Sequence, residues 1–475
     1  LAALAALGFL LVLAFAVDPK TRPGNLATDF NAFYCAGAAL DRGADPYRAE
    51  PLGSCERAPR PAWLARAQPG LAIPAPLPPY ALTCFALLAR VPYTPAVIMW
   101  WALLLAAAVA TAAALRRATD LPWAAIVAAL ALGDGMVGVA LGQVAPIAVA
   151  AVTIAMWLLE TGAEGAAGWF ASLAMIEPHI GLPSCLALFL WKPRARVPLV
   201  AAGAVFALLS LPYGGVALWR EYFGDVLPAH AASEIINVKQ FSLTYALQRL
   251  GVDGMTSLQI GNVSYAVMSA LGILLAPRLA RKLAAPGMIV ALPAAFAVMG
   301  GPFVHIVQIV IALPAALLLY ARTDANRRAL SWAIAALAVP FVQFTTLGTA
   351  FPLLAAVACF VLLAAFERPL LEAATAGAAA FGLLAASWAS IVTRIPSPTA
   401  TLLAHYDPNA LAQQSWAWYV RLVGTTDPLA FDLAKLPTWI ALAALAWIAT
   451  QTALGVRAGV RTLARNGNAA AGRIA

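Results

Sequence analysis

Thr28-Asp29-Phe30-Asn31-Ala32-Phe33-Tyr34-Cys35-Ala36-Gly37, continued by Asp41-Arg42-Gly43-Ala44-Asp45-Pro46-Tyr47, is the stretch from which the rest of the chain is read. It gathers carboxylates, aromatics and turn formers in a sequence of 475 residues that is 63% hydrophobic and only 11% charged. Soluble domains carry about a quarter charged residues, so the composition predicts an all-α polytopic membrane protein. The quoted stretch then reads as a loop outside the bilayer. Chemistry in such a protein is expected where acid, aromatic and turn residues are concentrated.

Upstream, residues 1–17 are an apolar segment without an initiator Met, so the natural N-terminus is expected further upstream. A retained helix fits the parity of the later segments. The rival reading is a signal peptide ending near Ala14-Phe15-Ala16. Downstream, 18–79 form a long polar insert, the first outer loop. Phe30, Phe33, Tyr34 and Gly37 recur in it at helical spacing, which predicts a short amphipathic helix along the membrane surface, with Thr28 or Asp29 as its N-cap. Pro74, Pro76, Pro78 and Pro79 then lead rigidly into 80–90, too short to span.

Full spans are predicted at 94–115, 121–140, 143–159, 197–213, 258–276, 285–301, 303–321, 329–345, 347–366, 371–393 and 437–455. Residues 165–191 are broken at Glu177-Pro178-His179 into halves too short for a bilayer, which predicts a re-entrant pair. Counting the first segment, about twelve crossings plus this pair put the short basic gaps on one side. Those gaps are Arg116-Arg117, Lys192/Arg194/Arg196, Arg278/Arg281/Lys282, Arg322/Arg327/Arg328 and the tail from Arg457 to Arg473. The long loops 18–79, 213–257 and 394–435 fall on the other side. The expectation is one integral membrane domain over 1–475, in an inner, cytoplasmic membrane, with a loop-built extracytoplasmic face.

The net charge of +9 is thus explained by orientation, and no nucleic-acid partner is expected. No phosphate-binding glycine motif, CxxC or HExxH is present, so soluble nucleotide or zinc chemistry has no anchor. No internal repeat is visible, against the inverted-repeat transporters. Cys185 and Cys359 lie in apolar runs, whereas Cys35, Cys55 and Cys84 lie in or beside the first outer loop, where an oxidising compartment permits one disulfide with no pair preferred.

Ionisable groups inside or beside a membrane are functional candidates because burying charge is costly. They are Asp29, Asp45, Asp134, Glu177, His179, Asp225, Lys239, His305 and the third-loop group Arg394, His405, Tyr406, Asp407, Trp416, Trp418, Tyr419 and Arg421. Each has a plainer reading. Asp29 can cap its helix, which keeps the acid ionised as a general base also requires. Asp45-Pro46-Tyr47 reads as a turn. Glu177 and His179 can form a local ion pair, His305 can be a hydrogen-bonded core residue, and Lys239, Arg220 and Arg249 are either solvated or a phosphate cradle.

Asp29-Phe-x-x-Phe-Tyr-x-Ala-Gly followed by Gly43-x-Asp45-Pro46-Tyr47 resembles the start of glycosyltransferase family 87, of the multi-spanning GT-C type. Four further marks follow in order over about residues 1–330. They are Pro78-Pro79, Leu141-Gly142-Gln143-Val144, Asn237-x-x-Gln240-x-Ser242 and Gly301-Pro302-Phe303-Val304-His305. The chain departs from the family where Lys-Pro of the re-entrant segment reads Glu177-Pro178, and where Ser and Trp before His305 are absent.

The resemblance implies a hexosyltransferase, mannosyl or otherwise, that moves a sugar from a polyprenyl-phosphate donor to a lipid or glycan acceptor at the extracytoplasmic face, with inversion. It implies Asp29 as catalytic base and His305 near the donor phosphate. Lys239, Gln240, Asn237, Tyr34, Asp45 and His179 are the further substrate-binding candidates. No cofactor is implied; a divalent metal is possible, but no dense outer carboxylate cluster indicates one. The competing class is a transporter or flippase for lipid-linked glycans, which would place function at Asp134, Glu177 and His179. A non-catalytic scaffold is the third reading.

Overall fold

A computed structural model describes residues 26–61, 64, 66–131, 134–344, 351–391, 399–424 and 428–455. The apolar segment 1–17, Arg394, the side chain of Asp134 and the basic tail lie outside the description. The described residues are helical, as expected, with two isolated β-bridges, Leu26 with Leu64 and Arg48 with Leu411.

Among the described residues four helices are long and apolar enough to cross a membrane: Tyr93–Thr119, Pro193–Tyr213, Gly254–Lys282 and Phe431–Leu454. A fifth is the pair Trp123–Ala131 and Gly135–Leu141, bent by 46°. Ala145–Glu160, Met288–Gly300, Ile306–Arg322 and Pro352–Ala365 are shorter apolar helices, the expected span at 329–345 holds the 12-residue helix Arg327–Ala338, and the expected span at 371–393 holds the 22-residue helix Leu370–Ile391. Among the described residues four or five crossings therefore meet the length requirement. Helices of 13 to 17 residues reach only about 20–25 Å, against a hydrocarbon core near 30 Å. Pro293 falls inside Met288–Gly300, and Pro314 opens the last part of Ile306–Arg322.

The break at Glu177-Pro178 makes a helical hairpin. One arm is Glu164–Leu173 with the 3-10 turn Ala174–Ile176, and the other is Pro178–Trp191. Lys192 Nζ meets Glu164 Oε1 at 2.8 Å, so both arms begin and end at the same end of the bundle. Glu177 is the apex. This is the geometry a re-entrant pair requires.

The helix Thr28–Asp41 departs from expectation twice. Its N-cap is Ala27, in the left-handed region at φ 59°, with no side-chain cap. Ala27 N donates to Ala140 O at 2.8 Å, which anchors the helix start to the end of another helix instead. The helix is also not a two-faced surface helix, because every residue from Phe30 to Leu40 is buried. Gly37 shows why: a Cβ there would lie 2.4 Å from the carbonyl carbon of Phe85, so only glycine lets the helix Pro79–Leu88 approach. Phe30 packs against Phe85, Tyr93 and Trp100. Cys35 and Cys55 form a disulfide, and Cys84 is free.

The three long loops carry helices of their own, and they join. Arg48 pairs with Glu221 at 2.8 Å, linking the first loop to the second. Ala412 N donates to Tyr47 O and Ala49 N to Ala410 O, linking the first to the third. Trp416 Nε1 donates to Glu234 Oε1 at 2.6 Å, linking the third to the second. The last helix starts at Pro428, inside the expected third loop, and it buries Lys435 completely, its ammonium 3.4 Å above the Tyr245 ring.

Candidate active site

Asp29 occupies the first turn of its helix, where the positive end of the macrodipole favours a carboxylate. Its partner comes from a turn. Gly142 sits at φ 72°, and Gln143 N donates to Gly138 O at 2.9 Å. Gln143 Nε2 then reaches Asp29 Oδ2 at 2.9 Å. The turn is held from the other side by Trp100 Nε1, which donates to Gly142 O at 2.9 Å. A Cβ on Gly142 would stand 2.6 Å from Phe30 Cβ, so the glycine permits both the backbone geometry and the contact. Burial pushes the Asp29 carboxyl up to about 6, although His305, Lys239 and the Gln143 hydrogen bond all pull it down. Asp29 keeps a partly exposed surface and is ionised at neutral pH.

His305 caps the helix Ile306–Ile309 in a reciprocal box with Gln308, whose Oε1 accepts from His305 N at 2.9 Å. Gln308 Nε2 in turn donates to Glu177 Oε2 at 2.7 Å, which ties the hairpin apex to the same region. The His305 ring lies 3.0 Å from Gln240 Nε2 and 3.7 Å from Glu234 Oε2. Glu234 is the buried centre of this group. Its Oε2 accepts from Asn237 Nδ2 at 2.7 Å and Gln240 Nε2 at 2.8 Å. Burial alone would raise its pKa, but His305, His230, Trp416 and Asn237 together hold it below the usual glutamate value. The Asn237-x-x-Gln240-x-Ser242 spacing thus has a local reason: the first two hold Glu234, and Ser242 caps the next helix.

Lys239 is part-buried, and its charge acts on Asp29. Burial lowers its pKa, opposed by Asp29. His230 is buried, with Nδ1 lacking a hydrogen-bond partner, and burial lowers it to about 4, so it is neutral at pH 7. The His179 ring is 5.3 Å from Phe303, and the His230 ring is 5.4 Å from the same side chain. His179 Nε2 also lies 3.7 Å from Glu177 Oε2 but makes no hydrogen bond among the described residues, a looser contact than the local ion pair read from the sequence.

Asp29, Lys239, Asn237, Gln240, His305 and His179 are thereby brought into one region. Tyr34 and Asp45 are not. The Tyr34 hydroxyl meets Val91 O at 2.9 Å within an aromatic cluster. Asp45 accepts from Tyr47 N at 2.9 Å and Arg48 Nε at 2.8 Å, the turn role its sequence suggests. Sequence reading missed Glu234, His230 and Gln308, whereas Trp416 belongs to the third-loop group it had named. Glu234 stands three residues before Asn237, a spacing that could have drawn it in.

A divalent ion could be shared by His230, Glu234 and His305, whose ligand atoms lie within 4.8 Å of one another. Both Glu234 oxygens already accept hydrogen bonds from neutral donors, so the carboxylate is satisfied without an ion.

Comparison with curated proteins gives no match. The match to a family model starts after Asp29 and stops before His305, so it takes in the Pro78-Pro79, Gly142-Gln143 and Asn237–Ser242 marks but neither end of the site. Over residues 77–302 the chain matches the model of glycosyltransferase family 87, which is the family the early motif resembles.

Proposed function

We propose that this protein transfers a sugar, mannose or another hexose or pentose, from a polyprenyl-phosphate donor to a lipid or glycan acceptor at the extracytoplasmic face of an inner membrane. The family match supplies the reaction class, glycosyl transfer. The observation that carries the reading is that Asp29, held by Gln143, lies within electrostatic reach of both His305 and Lys239.

In this mechanism the acceptor hydroxyl gives its proton to Asp29 as its oxygen attacks the anomeric carbon. The bond from that carbon to the phosphate oxygen breaks on the opposite face, which inverts the configuration. An unactivated hydroxyl near pKa 15 is a poor nucleophile, so a carboxylate within hydrogen-bond reach accelerates attack. His305 and Lys239 stabilise the negative charge that develops on the departing polyprenyl phosphate. Glu234 and Gln240 orient the His305 ring. The prenyl chain lies between apolar helices, and this is the reason for a membrane-embedded enzyme; the twelve-crossing topology belongs to the same proposal. Turnover of a polyprenyl-phosphate sugar by the purified protein, lost in Asp29→Asn, tests it. Movement of the lipid-linked sugar across a vesicle without transfer would overturn it in favour of a flippase.

A further inference from the structure

The end of the bundle opposite Asp29 carries an open cavity of about 1500 Å³. It is separate from the active site. Ala145–Glu160 and Pro178–Trp191 begin beside Gln143 and Glu177 and end at this cavity, with Trp157, Glu160, Trp191 and Lys192 in its wall. Helices of that length put about 20 Å or more between the two.

Five cations line the cavity, Arg117, Lys192, Arg278, Arg281 and Arg322, against two carboxylates, Asp120 and Glu160. Three of the cations meet a carboxylate or a ring, and Arg281 Nε donates only to Pro277 O of its own helix, at 3.3 Å. Lys192 pairs with Glu164 at 2.8 Å, Arg322 with Glu160 at 3.0 Å, and Arg117 lies 4.9 Å from the Trp157 ring centre. Among the described residues Arg278 and Arg281 have no carboxylate within ion-pair distance. Arg281 lies in the last helical turn, where a cation offsets the macrodipole, and that accounts for its residue type. It does not account for the convergence of these cations on one concave space with two tryptophans.

The helix that carries Arg278 and Arg281 also exposes Val263, Val267, Leu271 and Leu274, which are 62%, 51%, 41% and 56% exposed. Spacings of four, four and three put these side chains on one face. The apolar stripe runs along the helix to Leu274 in the cavity wall, and the two arginines follow directly. A free anion needs the arginines and has no use for the stripe. A phospholipid uses both: its phosphate meets the guanidinium groups, and an acyl chain covers the stripe.

We propose that this cavity is a binding site for an anionic phospholipid of the basic-side leaflet, with Arg278 and Arg281 holding the headgroup phosphate. The site is distinct from the sugar-transfer pocket and does not depend on it.

The test is native mass spectrometry of the full-length protein in a non-ionic detergent, titrated with phosphatidylglycerol or phosphatidylcholine. Phosphatidylglycerol is expected to bind at least tenfold more tightly. Arg278→Gln/Arg281→Gln is expected to abolish that preference while the protein stays monodisperse, and Arg278→Lys/Arg281→Lys is expected to keep part of it. A matched Arg194→Gln/Arg196→Gln variant is expected to bind as the parent does. Three results overturn the proposal: no preference in the parent, an unchanged preference in the Gln variant, or competition by inorganic phosphate as strong as that by phosphatidylglycerol. The last would assign the cavity to a free anion.

Discussion

Asp29→Asn separates the base from its scaffold, because the amide keeps the shape and an oxygen that can still accept from Gln143 Nε2. The Asp29 pKa of about 6 lies above the 3.8 of a free aspartate, so ionising Asp29 costs the folded state free energy. At 1.36 kcal/mol per pKa unit the cost is at most about 3 kcal/mol, and partial exposure reduces it to roughly 1–2. The sign follows from linkage. The folded state binds this proton more tightly than the unfolded chain, so the associated stability is present below pH ~4 and is lost as pH rises through about 6. The Asn variant is therefore expected to melt higher than the parent at pH 8, by roughly 2–4 °C, and to match it near pH 4.5. Its turnover should fall by about 10²–10⁴, the contribution of a positioned general base. Parent turnover should itself decline tenfold per unit below pH about 6. Thermal unfolding in detergent at both pH values, with sugar-transfer rates on the same samples, reads all of this. An Asn variant that turns over at the parental rate refutes the role of Asp29. A melting gain that is equal at both pH values refutes the electrostatic account of it.

Gly142→Ala should destabilise the protein by about 2–4 kcal/mol and lower turnover, because a Cβ would meet Phe30 at 2.6 Å from a backbone already at φ 72°; thermal unfolding and initial rates decide it. Glu234→Gln removes the negative charge 3.7 Å from His305, and it should raise the donor KM about tenfold with a smaller change in kcat. A purely structural role would instead lower the melting temperature and leave the donor KM alone. Under denaturing, non-reducing conditions a thiol reagent should label Cys84, Cys185 and Cys359 but not Cys35 or Cys55. Cys35→Ser/Cys55→Ser should cost about 3 kcal/mol, from the loop entropy of a 20-residue separation.

Much of the site was legible because membrane chains keep charge out of apolar helices unless it serves a purpose. Asp29, His305 and Lys239 stood out for that reason, and the marks between residues 77 and 302 lie within the stretch that matches the family model. Other features were illegible for identifiable reasons. The helix at Thr28 looked amphipathic because its alanines carry no signal of burial, yet Gly37 and the chain at Phe85 enclose it. Glu234 and His230 looked like ordinary loop residues because their partners, Trp416 and His305, are distant in sequence.

By itself the sequence determined the class of this protein, since hydropathy along a chain depends on local composition alone. It also determined the break at Glu177-Pro178, since proline disrupts a helix wherever the chain goes. Only the tertiary structure decided that Asp29 meets Gln143 across 114 residues, and that Cys35 pairs with Cys55 and not Cys84. It alone decided that Glu234 lies beneath His305 and that the basic helix ends converge on one cavity. These are contacts between segments far apart in the chain. They depend on how helices pack, and packing is set by all their faces together, so no single segment encodes it.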